Sequence, residues 1–129
     1  MSNPIAIASS NTVMRIIVWA LALAPIAWLL SFLYFVVRAR WALGRWPTPY
    51  NPDPKALGFD LHYTALLIGV PGIWAATIAL LFAIALNYRP VRAAGARPLL
   101  AIATALGSCA LIIGLARLDP GRFFYWFGD

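Results

Sequence analysis

Charged side chains are scarce in this chain. Of its 129 residues only 11% are Asp, Glu, Lys or Arg, against 63% hydrophobic, and the mean hydropathy is +0.81. A water-soluble domain of this length needs far more polar surface, so an ordinary soluble fold is excluded. Cysteine is scarcer still: Cys109 stands alone, which rules out an intramolecular disulfide. His62 is the single histidine. A metal or haem site generally needs several ligands, so a complete one would require a second chain to join His62 and its neighbour Asp60.

The lack of charge is concentrated in three runs. Ile16 to Val37, Tyr63 to Leu86 and Leu99 to Ala116 contain no Asp, Glu, Lys, Arg or His. Crossing about 30 Å of hydrocarbon takes roughly 20 helical residues at about 1.5 Å each, and all three runs reach that range, the third only just. The expected fold is therefore an all-α integral membrane protein, one domain over residues 1–129. Its three transmembrane helices fall near residues 16–37, 63–86 and 99–116, with loops at 38–62 and 87–98 and a tail at 117–129. The first run, 22 residues long, exceeds the roughly 7 to 15 of a signal-peptide apolar region. No small-x-small cleavage site precedes Arg38-Ala39-Arg40, so the run reads as a retained helix.

Missing intramembrane ionisable groups also narrow the function. Ion-coupled transporters usually place such a residue within the bilayer, which makes a coupled transporter acting alone improbable on physical grounds. No Ser-His-Asp or Cys-His constellation has its parts in place, so no catalytic residue is identified and no cofactor or metal is expected. Asp60 and the headgroups are the expected partners of His62. Asp60 is equally placed to cap the second helix with its carboxylate.

What charge there is sits at the ends of the runs. A net charge of +6 and a pI near 10.3 would suggest nucleic acid in a soluble protein. Here Lys and Arg flank apolar runs, where they meet anionic headgroups, and no nucleic-acid partner is expected. Arg38, Arg40, Trp41, Arg45 and Trp46 alternate cations with indoles in the manner of the headgroup zone, and Tyr50 follows them; the first helix is expected to continue into this segment or to bend onto the membrane surface. Arg89, Arg92 and Arg97 crowd the second loop, which holds no acid. Beyond Asp119-Pro120-Gly121, a turn signal, five consecutive aromatics from Phe123 to Phe127 suit the membrane interface, with Tyr125 and Trp126 as anchors.

Proline and small residues shape the remainder. Pro25 and Pro71 fall inside spans and each tends to kink its helix. Residues 47–54 hold four prolines, which predicts extended chain or linked turns outside the hydrocarbon. Small residues recur at offsets of 0, 4, 7 and 11 in all three spans: Ala20, Ala24, Ala27 and Ser31; Gly72, Ala76, Ala79 and Ala83; Ala103, Gly107, Ala110 and Gly114. Such stripes let backbones approach closely, and they are the expected helix-packing seam.

The segments Gly44-Arg45-Trp46-Pro47 and Tyr50-Asn51-Pro52-Asp53-Pro54-Lys55 resemble a loop of small bacterial inner-membrane proteins of uncharacterised function. That resemblance implies a bacterial inner-membrane location and no particular activity. With three spans, the N-terminal tail and second loop share one side with Arg15, Arg89, Arg92 and Arg97. The first loop and C-terminal tail share the other with Arg38, Arg40, Arg45, Lys55, Arg117 and Arg122. Four cations against six favour a cytoplasmic proline-rich loop and an outward N-terminus. The expected function is a structural or accessory membrane protein, a homo-oligomer or minor subunit of a larger complex. The alternative is a minimal transporter or channel whose pore forms only on oligomerisation.

Overall fold

A computed structural model describes the backbone of residues 4–49 and 53–128, and side chains from residue 11 onward within those limits. Tyr50, one of the expected headgroup residues, lies outside the described residues. Four α-helices follow in order: α1 (Pro4–Leu43), α2 (Asp60–Ala93), α3 (Pro98–Leu118) and α4 (Phe123–Gly128), with a 3-10 turn over Pro54–Leu57. Among the described residues there is no strand. Three helices are long and apolar enough to cross a membrane. At about 1.5 Å per residue, the 21 residues of α3 span about 31 Å, while α1 and α2 extend well past that thickness.

The helices run beyond the expected loop boundaries for local reasons. Of the two courses expected for the start of the first loop, Arg38 to Leu43 takes the helical one and continues α1, because nothing before Gly44 breaks it; Gly44, with φ +68°, ends it. At the other end of the fold α2 runs on to Ala93. Ala96 N–H donates to the Val91 carbonyl and Gly95 N–H to the Arg92 carbonyl, and Gly95 has φ +77°. That paired bonding is a Schellman motif, its apolar contact supplied by buried Val91 and Ala96. Pro98 then opens α3 at its first turn, where a missing N–H costs nothing.

Pro25 and Pro71 do not break their helices, whose backbone angles stay helical around them. The departure falls instead at Asn87 (φ −125°, ψ 30°), three residues before Pro90. Pro90 cannot donate to the Leu86 carbonyl and its ring crowds that oxygen, so the chain bends at the intervening residue. The proline-rich loop also departs from fully extended chain. Asp53 Oδ1 accepts the Lys55 N–H at 2.9 Å and starts the 3-10 turn, with Pro54 at its first position. Pro47 and Pro54 are fully buried, so the loop lies against the helices.

α1 is the central element, packing on both α2 and α3, which touch each other least. Val18, Ala22, Pro25, Leu29, Phe32, Val36 and Ala39 are buried at alternating spacings of four and three, with Phe35 buried beside Phe32 and Val36. That is the seam of a helix packed by interlocking side chains. α2 answers with Leu66, Ile73, Thr77, Leu80, Ile84 and Val91 on one stripe. Three clusters stack along the bundle. Val18 and Ala22 meet Leu80, Ile84, Ala101 and Ala105 near the α2–α3 turn, and Leu29, Ile73 and Ile112 meet in the middle. Phe32, Phe35, Tyr63, Leu66, Trp126 and Phe127 meet at the far end.

This packing corrects the expected seam. Ala20, Ala27, Gly72, Ala79, Ala103, Gly107 and Ala110 are exposed, while Ala24, Ala76, Ala83 and Gly114 are only half-buried. In α1 and α3 the seam lies two residues away from the small-residue stripe, a rotation of about 200°, and in α2 one residue away, about 100°. Branched and aromatic side chains make more dispersion contacts than Ala or Gly and dominate the middle and far-end clusters, while a different set of small residues, Ala22, Ala101 and Ala105, lines the contact near the α2–α3 turn. Close backbone approach occurs at Gly69 instead. A Cβ there would lie 2.8 Å from Trp28 Nε1, whereas nothing stands within 4 Å of one on Gly72, Gly107 or Gly114.

Polar groups within the bundle find local partners. Thr77 Oγ1 donates to the Ile73 carbonyl at 2.8 Å, leaving the Cys109 thiol, 3.5 Å away, to donate to the Thr77 oxygen. Ser108 Oγ donates to the Thr104 carbonyl at 2.6 Å. Among the described residues no buried side-chain polar atom lacks a partner.

Candidate functional site

A grouping of polar and aromatic side chains lies where the C-terminal half of α1 meets the start of α2. The turn Leu57–Phe59 delivers Asp60, Leu61 and His62 beside Ser31, Tyr34 and Arg38, one or two helical turns apart along α1. Ser31 Oγ and His62 Nε2 lie 3.0 Å apart, a hydrogen bond whose direction follows the imidazole tautomer. The His62 ring sits between Tyr34, stacked at 5.8 Å, and Phe35, edge-on at 5.0 Å. Arg38 lays its guanidinium 3.7 Å over the centre of the Phe59 ring. An open cavity of about 600 Å³ borders Arg38, Phe59, Asp60 and His62.

Two expectations are revised here. The first amides of α2 follow Phe59, which makes no side-chain cap; Asp60 is the first helical residue and contributes only its charge to the helix's positive end. His62 bonds Ser31 across the helix pair in place of Asp60. Ser31 thereby earns its half-buried position by a polar contact, the one member of the α1 small-residue stripe to do so.

The Ser31–His62 distance is that of a nucleophile and its base. Among the described residues no carboxylate is bonded to the His62 ring, and no group of three or more His, Cys, Asp or Glu could hold a metal ion. The pair has no orienting third member. What it does is pin α2 to α1 at the helix end.

The aromatic tail supplies the other side of this end. Asp119 closes α3 in a left-handed conformation (φ 24°, ψ 59°), and its carboxylate accepts the N–H groups of Phe124 and Tyr125 at 3.2 and 3.0 Å. One carboxylate thus caps α4 while its own N–H closes α3 on the Leu115 carbonyl. Gly121 leaves room for the Phe123 ring, which meets Trp46 at 5.5 Å and ties tail to first loop. Trp126 is fully buried and Phe127 nearly so, packed on Phe32, Phe35 and Tyr63. Trp126 is therefore a core residue and not the headgroup anchor expected, because the Asp119 cap folds the run back between α1 and α2. Tyr125, half exposed, keeps its outward position.

The other residues expected at the headgroups stay on the surface of the bundle. Trp41, Arg45, Trp46, Arg89, Arg92 and Arg97 are exposed; Arg40, half-buried, approaches the Trp46 ring at 5.4 Å. Sequence reasoning missed Trp28, Gly69 and Asp119. For Asp119 a signal existed, since an acid followed after four residues by an aromatic run reads as a cap; for Trp28 and Gly69 none did. Comparison with protein-family models, with curated proteins and with solved structures returns no match, so the reading of these regions rests on the geometry of the chain itself.

Proposed function

We propose that this chain is a multi-pass membrane protein of the bacterial inner membrane with a structural or accessory role, acting through association with itself or with other membrane subunits. The supporting observation is the outer surface of the helices. Leu30, Ile68, Phe82 and Leu86 are among its large exposed apolar residues. Lipid solvates such a surface and water does not. Arg15 and Arg38 bracket the uncharged run of α1 at about 34 Å, and Arg97 and Arg117 bracket that of α3 at about 30 Å, each close to the hydrocarbon thickness. Between these collars the exposed small residues Gly72, Ala79, Gly107 and Ala110 leave shallow tracks on which a further helix can lie close.

The proline-rich loop faces the cytoplasm in this reading, following the larger share of Lys and Arg on the side it has in common with the C-terminal tail. Purification in mild detergent, followed by mass measurement of the intact particle, tests the association. The reading expects a homo-oligomer or a stable complex with other membrane chains. A monodisperse single chain with no co-purifying protein refutes it.

A further inference from the structure

We infer that the α2–α3 turn carries a site for one anionic phospholipid, its phosphate held by Arg92 and Arg97 and an acyl chain lying over Leu99 and Leu100. This rests on the membrane reading above and goes beyond it, since diffuse headgroup contact needs no groove.

The bend at Asn87 and the Schellman turn set the end of α2 beside the start of α3 and leave a groove of about 450 Å³ between them. Arg92 and Arg97 line it together with Tyr88, Pro98, Leu99 and Leu100. Its chemistry is divided as a phospholipid is: guanidiniums at the end of the helices, and aliphatic wall leading down α3, where Leu99 is 73% exposed. Arginine suits a phosphodiester because its planar fork donates two parallel hydrogen bonds.

Charge distribution selects the sign of the ligand. Asp53, Asp60 and Asp119, the described acids, all lie at the opposite end of the bundle. Arg15, Arg89, Arg92 and Arg97 therefore share their end with no described carboxylate. The cavity at the other end contrasts with it, because Asp60 borders that cavity and its Arg38 is already engaged over Phe59. Near a membrane surface each such cation strengthens the attraction for anionic lipid.

The test uses the full chain reconstituted in nanodiscs of phosphatidylcholine with a minor fraction of phosphatidylglycerol, with lipids retained on release counted by native mass spectrometry. The expected result is one phosphatidylglycerol kept per chain, at about tenfold preference over phosphatidylcholine. Arg92→Ala with Arg97→Ala abolishes the preference, Arg92→Lys with Arg97→Lys keeps part of it, and Arg40→Ala with Arg45→Ala at the other end leaves it intact. All four arginines have solvent-accessible side chains, and circular dichroism of each variant verifies its helix content. No preference in the wild type overturns the site, as does equal loss in the Arg40/Arg45 pair, which would mean diffuse attraction. Displacement of the lipid by soluble glycerol phosphate at equal concentration overturns the acyl-chain part. Incorporation without preference leaves the membrane reading standing, whereas failure to incorporate at all overturns both.

Discussion

Two glycines three residues apart on α2 are expected to behave in opposite ways. Gly69 faces Trp28 of α1, whose indole N–H donates to the Leu66 carbonyl at 2.9 Å and whose ring stacks on Phe32 at 5.6 Å with planes 6° apart. A methyl group at Gly69 enters the space the indole occupies, so the ring must move or the helices part. Overpacking of this kind costs about 1–3 kcal/mol. Loss of the interhelical hydrogen bond adds about 0.6 kcal/mol on membrane-protein scales. Set against the gain of about 0.5–1 kcal/mol from replacing a helical glycine, Gly69→Ala is expected to destabilise the bundle by about 1–3 kcal/mol, on the order of a 5- to 150-fold shift toward the unfolded state. Gly72→Ala meets open space, and replacing glycine within a helix contributes about 0.5–1 kcal/mol of stability. Unfolding in mixed micelles of mild detergent and increasing dodecyl sulfate, followed by circular dichroism, measures both. Equal effects of the two substitutions, or a larger loss at Gly72, would refute the packing described and restore the small-residue stripe as the interior seam.

Other consequences follow from single contacts. Asp119→Ala removes both side-chain bonds at the start of α4 and should cost about 1–2 kcal/mol; α4 then loosens, and a protease cutting after aromatic residues should trim the tail many times faster than in the wild type. Ser31→Ala leaves His62 without its 3.0 Å partner, so the Nε2 resonance in nitrogen NMR should move while that of a Tyr125→Phe control stays in place. Cys109 is buried against Thr77, and a small maleimide should label it slowly in the folded bundle and fully after denaturation; rapid labelling of folded protein would contradict its position.

How far the sequence announced this structure depended on the scale of the physical signal. The number and approximate position of the long apolar helices were legible because the lack of charge extends over every residue of a run. The loops were drawn too long because they were delimited by polar composition, whereas helix ends are decided by backbone chemistry at Gly44, Gly95 and Pro98. The rotation of each helix was not legible. A helix apolar all round offers no stripe to separate interior from lipid, and small residues are as compatible with an outer face as with an inner one. Likewise the tail's composition matched the interface, but Asp119 bonds two of its amides and directs Trp126 inward. The contact of Ser31 with His62 joins residues on different helices, and no local pattern in either helix foretells it.

The central claim is that three helices cross a bilayer, so the first loop and the α2–α3 turn emerge on opposite faces. Single cysteines at Ala56 and Ala93, both exposed, introduced into a Cys109→Ser background and probed in sealed, uniformly oriented vesicles with a membrane-impermeant maleimide, test it directly. The account predicts that intact vesicles label one of the two positions and that permeabilised vesicles label both. Labelling of both positions from the outside of intact vesicles would contradict it.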